Sequence, residues 1–368
     1  MTAPTISTEG LRELLERGAP VTVLDVRPGA ERAEWSIPGS VHADAYEALR
    51  RSDPNALANF RPTNGGPVVT VCATGKTSLL AAERLRARGL DAVSLEGGMR
   101  AWSVAWNTAE LLCPGSTARI VQVRRTGKGC LSYLIGSNGD AVVIDASLDP
   151  QVYRRVAEKH GWHICTVLET HVHADHLSRA RALAADTGAR LCLPATDRVS
   201  FEYAPLKDGD IVRVGSAGLR ALHTPGHTPE STSYLLDDRA LFTGDTLFLA
   251  AVGRPDLEAT TDESLHRAHV LHGSLQRLVA LPPETVVLPA HTSEPVAFDG
   301  WPISAALREV RDRTPLLDET EEAFVRHVLA RVPPTPPNHH RIVARNEAGT
   351  LPEDPTQLEA GANRCAVA

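Results

Sequence analysis

Two rhythms of apolar and polar positions run along this chain, and the change between them falls near residue 115. In the first part VTVLD at 21–25 and VVTVC at 68–72 are short apolar runs bounded by Gly or Pro, which predicts buried strands. LLAAERLRARG at 79–89 sets Leu80, Glu83, Arg84 and Ala87 at helical spacing and stops at Gly89, and DAVSLEGG at 91–98 predicts strand and then turn. This alternation predicts a small parallel α/β domain. The Pro-Gly pair in NTAELLCPGST (107–117) follows a Trp-rich helical stretch and predicts the boundary. Beyond it RIVQVRR, CLSYLIG and AVVIDA are separated by TGKG and SNGD, the turn chemistry of antiparallel hairpins. A helix near 150–160, a strand at 165–170, a helix from about His176 to Thr187, the strand RLCLP and helical segments over 303–331 follow, a mixed α/β layer pattern. Four prolines in VPPTPPNHH (332–340) predict an extended segment, and the apolar and basic RIVARN behind it predicts that the chain packs back.

The length of 368 residues agrees with two domains, and 42% hydrophobic with 23% charged residues is ordinary globular usage. The net charge of -7 comes from intermixed charges with no basic tract, so neither nucleic acid nor an anionic membrane surface is an expected partner. The first twenty residues lack a basic segment followed by an apolar run, and a cytoplasmic location is expected. The six cysteines are widely scattered, which argues against a disulfide framework. Cys113, Cys130, Cys165 and Cys192 read as packing residues, and Cys365 as a thiol on a mobile tail.

Cys72 ends an apolar strand and opens CATGKTS, which leads into a helix. Backbone N–H groups at such a helix start stabilise a thiolate or a bound anion, Gly75 permits the tight turn, Thr74, Thr77 and Ser78 add hydroxyls, and Lys76 a cationic rim. Together with DVRPGAERAEWSIPGSVHA (25–43) and LEGGMRAW (95–102), this loop resembles the rhodanese homology domain over about residues 5–106. The resemblance implies that Cys72 carries sulfane sulfur as a persulfide, cradled by Ala73, Thr74, Gly75, Lys76, Thr77 and Ser78, with Asp25 and Arg27 as structural members. Dual-specificity phosphatases have a similar loop but need an Arg where this chain has Ser78. Trp35, Trp102 and Trp106 read as core or interface residues.

The strand at 165–170 runs into His171, His173, Asp175 and His176, and His227, Asp245 and His291 each follow an apolar run beside Gly, Pro or small residues. Neutral imidazoles and carboxylates at this density are what metals require, and ligands at strand ends converge above one sheet edge. His160, His163, His266, His269, His272, His327, His339 and His340 read instead as solvated or core histidines. The seven-residue set resembles the metallo-β-lactamase fold superfamily over about residues 118–300. For a binuclear hydrolase such as glyoxalase II the resemblance implies two zinc or mixed metal ions, one on His171, His173 and His227, the other on Asp175, His176 and His291, with Asp245 bridging.

ETHVHADHLS, TPGHTPESTSY, FTGDTLF and VGRPDL resemble the persulfide dioxygenases more closely, and the PPTPPNHHRIV tail resembles that of their bacterial rhodanese fusions. That likeness implies one Fe(II) per chain on His171, His227 and Asp245, with His173, Asp175, His176 and His291 around the ligands and Arg254 and Asp256 as substrate-binding candidates. The expected organisation is a rhodanese-like parallel α/β domain at 1–107, a linker at 108–117, and an αββα metallo-β-lactamase-fold sandwich at 118–368 with a helical and Pro-rich C-terminal extension. The expected activity is oxidation of a low-molecular-weight thiol persulfide, such as glutathione persulfide, by O2 to sulfite and thiol. Cys72 would transfer sulfur among thiosulfate, sulfite and thiol, and a homodimer is compatible with the resemblance. The alternative is a binuclear thioester hydrolase with an attached sulfurtransferase.

Overall fold

In the computed structural model, residues 3–113, 115–336, 338–361 and 364–368 are described. Five parallel strands, β1 (Thr5–Ile6), β2 (Thr22–Asp25), β3 (Val41–His42), β4 (Val68–Val71) and β5 (Ala92–Leu95), form the first sheet in the order β1-β5-β4-β2-β3. Every residue of β2 and β4 is buried, as befits central strands covered on both faces. Leu24 and Val68 pack with Ala81 and Leu85 of helix Lys76–Ala87, while Val23 and Val69 pack with Leu11 and Trp102.

The second part is a two-sheet sandwich. One sheet contains β6 (Asn107–Leu112), β7 (Arg119–Arg124), β8 (Leu131–Ser137), β9 (Asp140–Ile144), β10 (His163–Leu168), β11 (Arg190–Pro194) and β12 (Ala204–Leu206), adjacent in sequence order. The other is built from β13 (Ile211–Val214), β14 (Ala217–His223), β15 (Thr232–Leu236) and β16 (Ala240–Gly244). Beyond a short strand β17 (Val252–Gly253), it continues with β18 (Val286–Pro289) and β19 (Ala305–Ala306), in the order β13-β14-β15-β16-β18-β19. Ile120, Tyr133, Ile144, Tyr234, Phe242 and Leu288 fill the space between the sheets. Helices Pro150–Lys159 and Ala180–Thr187 cover one outer face, and Thr261–Val279, Leu307–Arg313 and Glu321–Ala330 the other. The β8–β9 hairpin closes through Asn138 and Gly139, both at positive φ (51° and 88°), the geometry that an Asn-Gly pair supplies.

Three expectations need correction. Residues 108–112 of the expected linker belong to a strand: β6 pairs with β7 from Asn107–Arg124 to Leu112–Arg119, and Asn107 Oδ1 accepts from Arg124 Nε at 2.8 Å. The Pro-Gly signal marked the end of an edge strand, and Pro114 itself lies outside the described residues. The helix expected from His176 begins at Ala180, because 176–179 are held in a loop by side-chain hydrogen bonds described below. Cys365 is buried rather than mobile, since β20 (Ala366–Val367) pairs antiparallel with β17.

The two parts touch through a small set of buried groups. Trp35 Nε1 donates to Thr126 O (3.1 Å), Arg125 Nε to Ser103 O (2.7 Å), and a Cβ on Gly127 would lie 1.8 Å from Trp102 O. Arg125 also meets Glu359, as does Arg179, and Glu359 Oε1 accepts the Leu177 N–H at 2.7 Å. Burial opposes ionisation of Glu359, but the two guanidinium charges and their hydrogen bonds outweigh it and hold this carboxyl below the usual range. Glu359→Gln is therefore expected to destabilise the protein by about 3–5 kcal/mol at pH 7, read as a lower urea midpoint, because two buried cations lose their partner. A depressed pKa in the folded chain gives stability that is present above the unfolded value near 4.3 and lost as pH falls below it. The midpoint difference between wild type and variant should therefore shrink from pH 7 to pH 3.

Candidate active site

Four apolar strands end at one rim of the sandwich and deliver the metal-capable residues there. β10 leads to His171, the β14–β15 connection carries His227, β16 ends one residue before Asp245, and β18 leads to His291. His171 Nε2 and His227 Nε2 lie 3.8 and 3.6 Å from Asp245 Oδ2, with all three side chains buried. Among the described residues His171 Nε2 and Asp245 Oδ2 have no hydrogen-bond partner. Buried unpaired polar atoms are costly, and a cation between them removes that cost.

The ring protons are placed by what surrounds them. His227 Nδ1 donates to Arg254 O at 2.8 Å. Thr170 Oγ1 donates to Asp145 Oδ2 and accepts from His171 Nδ1, each at 2.9 Å. Both Nε2 atoms are then bare lone pairs facing Asp245, the orientation that outer partners impose on metal-binding imidazoles. Burial lowers the pKa of both rings, His171 more strongly because the charge of His173 adds to it. For Asp245 burial opposes ionisation, but His291 nearby, with His171 and His227, keeps the carboxyl ionised well below the ordinary range.

His173 stands beside the triad, its ring centroid 4.2 Å from that of His171 and its Nδ1 buried without a hydrogen-bond partner among the described residues. Its Nε2 lies 2.8 Å from Glu169 Oε2 and 3.3 Å from Asp145 Oδ1. Burial opposes its charge, yet the two carboxylates push its pKa well above the ordinary value. Asp175, His176 and His291 form a neighbouring set, with His291 Nε2 2.8 Å and Cys130 Sγ 3.6 Å from Asp175 Oδ2. Burial and Asp175 raise the Cys130 pKa, but His176 and His291 outweigh them and bring the thiol to about 6. Cys130 was missed because it opens an apolar run like any core residue. Asp145 and Glu169, also missed, had a visible signal: each is an acidic residue closing a buried strand.

Arg254 is not a substrate group. It is fully buried, its Nε and Nη2 donate to Asp256 at 2.8 Å, and Nη1 donates to Arg364 O at 3.1 Å. The pair clamps the C-terminal segment beside the loop whose carbonyl fixes His227, which is how Arg254 serves the site. Asn346 was likewise not foreseen: its Nδ2 donates to His173 O (2.8 Å) and His176 O (2.9 Å), and its Oδ1 accepts from Ser178 N. Asn346→Ala is expected to loosen the 171–178 loop and weaken metal retention about 10–100-fold against a chelator, the usual cost of losing an outer partner.

A cleft of about 300 Å³ opens beside His171 and His173, lined by Leu193, Val199 and Phe201 and flanked by Arg181 and Arg345.

In the first domain, Cys72 is buried at the end of β4 and Ser78 Oγ donates to its Sγ at 3.3 Å. Thr77 and Ser78 are buried in the first turn of the helix, Thr74 and Lys76 are exposed, and Ala73 and Gly75 are half-buried. Gly75 takes φ 86°, and a Cβ on Gly98 would sit 2.1 Å from Cys72 O, so the loop is closed by glycine on both sides. Asp25 and Arg27 form a buried two-point pair, with Arg27 Nη2 reaching Trp35 O as well.

Residues 125–291 match the metallo-beta-lactamase superfamily and residues 7–105 the rhodanese-like domain. The hydroxyacylglutathione hydrolase of Methylococcus capsulatus is 38% identical over 208 residues, which are 54% of this chain and 77% of that protein. The hydroxyacylglutathione hydrolase of Cereibacter sphaeroides is 36% identical over 156 residues, 42% of this chain, and the match spans 58% of its length. Among solved structures, ETHE1 from Myxococcus xanthus is 32% identical with a TM-score of 0.54, covering 62% of this chain and 98% of its own.

Proposed function

This chain belongs to the metallo-β-lactamase superfamily and carries a rhodanese-like domain ahead of that fold, and on this basis we propose that it oxidises a low-molecular-weight thiol persulfide with O2 to sulfite and thiol. The observation that carries the reading is the compact triad of His171, His227 and Asp245, whose ligand atoms lie within 4.8 Å of one another. His173, although beside His171, gives its Nε2 to Glu169 and Asp145 and falls outside that three-residue set. The donors that remain, two neutral imidazoles and one carboxylate, suit a single Fe(II). That ion would supply redox chemistry with O2 and open coordination positions for O2 and a persulfide sulfur.

The chain's own residues do the rest. The Arg254 carbonyl and Thr170 keep both imidazoles in the ligating tautomer, and His291 holds Asp245 by its free edge. The cleft beside His171 takes the thiol carrier, with Arg181 and Arg345 available to its carboxylates. In the first domain Cys72 accepts a sulfane sulfur and passes it on, and Ser78 steadies the sulfur atom. With both sites on one chain, the shared persulfide is presented at a raised local concentration.

A second reading, thioester hydrolysis at two metal ions, draws on the Cys130, Asp175, His176 and His291 set and on the relatives named hydroxyacylglutathione hydrolase. The two readings separate by product. Glutathione persulfide should yield one sulfite per O2 consumed, and an acylglutathione should not be hydrolysed. Acylglutathione hydrolysis without sulfite formation would replace the first reading by the second.

A further inference from the structure

At the start of helix His339–Ala348, His339 and His340 together with Glu258 bring three ligand atoms within 4.8 Å of one another, none of them shared with the triad above. His339 Nε2 lies 3.2 Å from Glu258 Oε1, and His340 Nδ1 approaches the same oxygen. His339 Nδ1 is 2.9 Å from Pro336 O. A carbonyl only accepts, so Nδ1 carries a proton and Nε2 is the ring atom turned to the carboxylate oxygen. The two imidazole rings lie with centroids 3.8 Å apart, so one nitrogen of each and a Glu258 oxygen share one small space. One shared cation satisfies all three atoms.

We propose that Glu258, His339 and His340 form a separate site for one divalent transition-metal ion of the Zn2+ class, with water completing the coordination. Two imidazole nitrogens and a carboxylate oxygen are the donor set such an ion prefers, and the hydrogen bond from His339 Nδ1 to a backbone carbonyl is the partner that ligating histidines carry. Glu258 stands at φ 54°, a conformation costly for a residue other than glycine, and Arg267 pins it by donating to the carbonyls of Leu257 and Glu258. His340 is 75% exposed, so the ion exchanges directly with solvent. Leu257 and Val343, on the two segments so joined, pack against Val172 and Ala174 of the active-site loop. Zinc at this point therefore staples the C-terminal helix over that loop.

The test is zinc titration of the iron-loaded protein, followed by gel filtration and a count of zinc and iron per chain in wild type, His340→Ala and Glu258→Gln. Wild type should retain one zinc more than either variant, with equal iron in all three, and its unfolding midpoint should rise with zinc by more than theirs. Equal zinc retention in wild type and His340→Ala overturns the proposal, as does a zinc absorption edge without imidazole scattering in the wild-type protein. Because His340 is exposed, its replacement decides the matter even if Glu258→Gln folds poorly.

Discussion

Asp245→Ala is expected to leave the protein without its iron and to lower persulfide-dependent O2 uptake about a thousandfold or more, equivalent to about 4 kcal/mol at 1.36 kcal/mol per decade. The size follows from what the side chain does. Oδ2 is the unpartnered acceptor facing the Nε2 atoms of His171 and His227, and Oδ1 anchors His291. Alanine removes the one carboxylate from a three-donor set and leaves His291 Nδ1 without its partner. The fold should survive, because the hydrophobic layers of the sandwich are untouched. Iron content and O2 uptake on the same sample check the expectation, and full iron in the variant would remove Asp245 from the ligand set.

Cys72→Ser should lower sulfur transfer from thiosulfate below about 1% of wild type, a loss of at least about 2.7 kcal/mol, while O2 uptake on supplied persulfide stays within twofold. Serine is close in size, and the Ser78 hydroxyl that now donates to Sγ can donate to a hydroxyl oxygen. The loop is therefore expected to keep its shape and lose only the atom that carries sulfur. A parallel fall in both activities would mean that the two sites do not act independently.

Much of this was readable in the chain because the relevant residues stand where elements end. Cys72 closes β4, while His171, Asp245 and His291 follow strands whose apolar runs are plain in the sequence. The parallel sheet and the first sandwich sheet followed in large part from the same runs and from the Asn138-Gly139 turn, whereas the second sheet was implied only by the family resemblance. What escaped depended on partners distant in sequence. The two rings of His171 and His173 look equivalent on alternation, and only the fold shows that Glu169 and Asp145 capture one of them. Arg254 near Asp256 looks the same on paper whether it faces a substrate or clamps a tail. Cys365 lies close to the C-terminus and reads as mobile, but a two-residue strand, too short to show any periodicity, buries it. β6 was lost to the Pro-Gly pair that follows it, although Asn107 and Ala109 are buried and Glu110 and Leu112 exposed. His339 and His340 gave no signal because Glu258 is far from them in sequence.

The central claim, one iron ion on His171, His227 and Asp245 working on a persulfide, is tested most directly by one experiment. The purified protein is loaded anaerobically with Fe(II), its metal is counted by mass spectrometry, and O2 uptake is followed on addition of glutathione persulfide. About one iron per chain with uptake that requires the persulfide is the predicted result. Two metal ions per chain and no uptake after iron loading would contradict it.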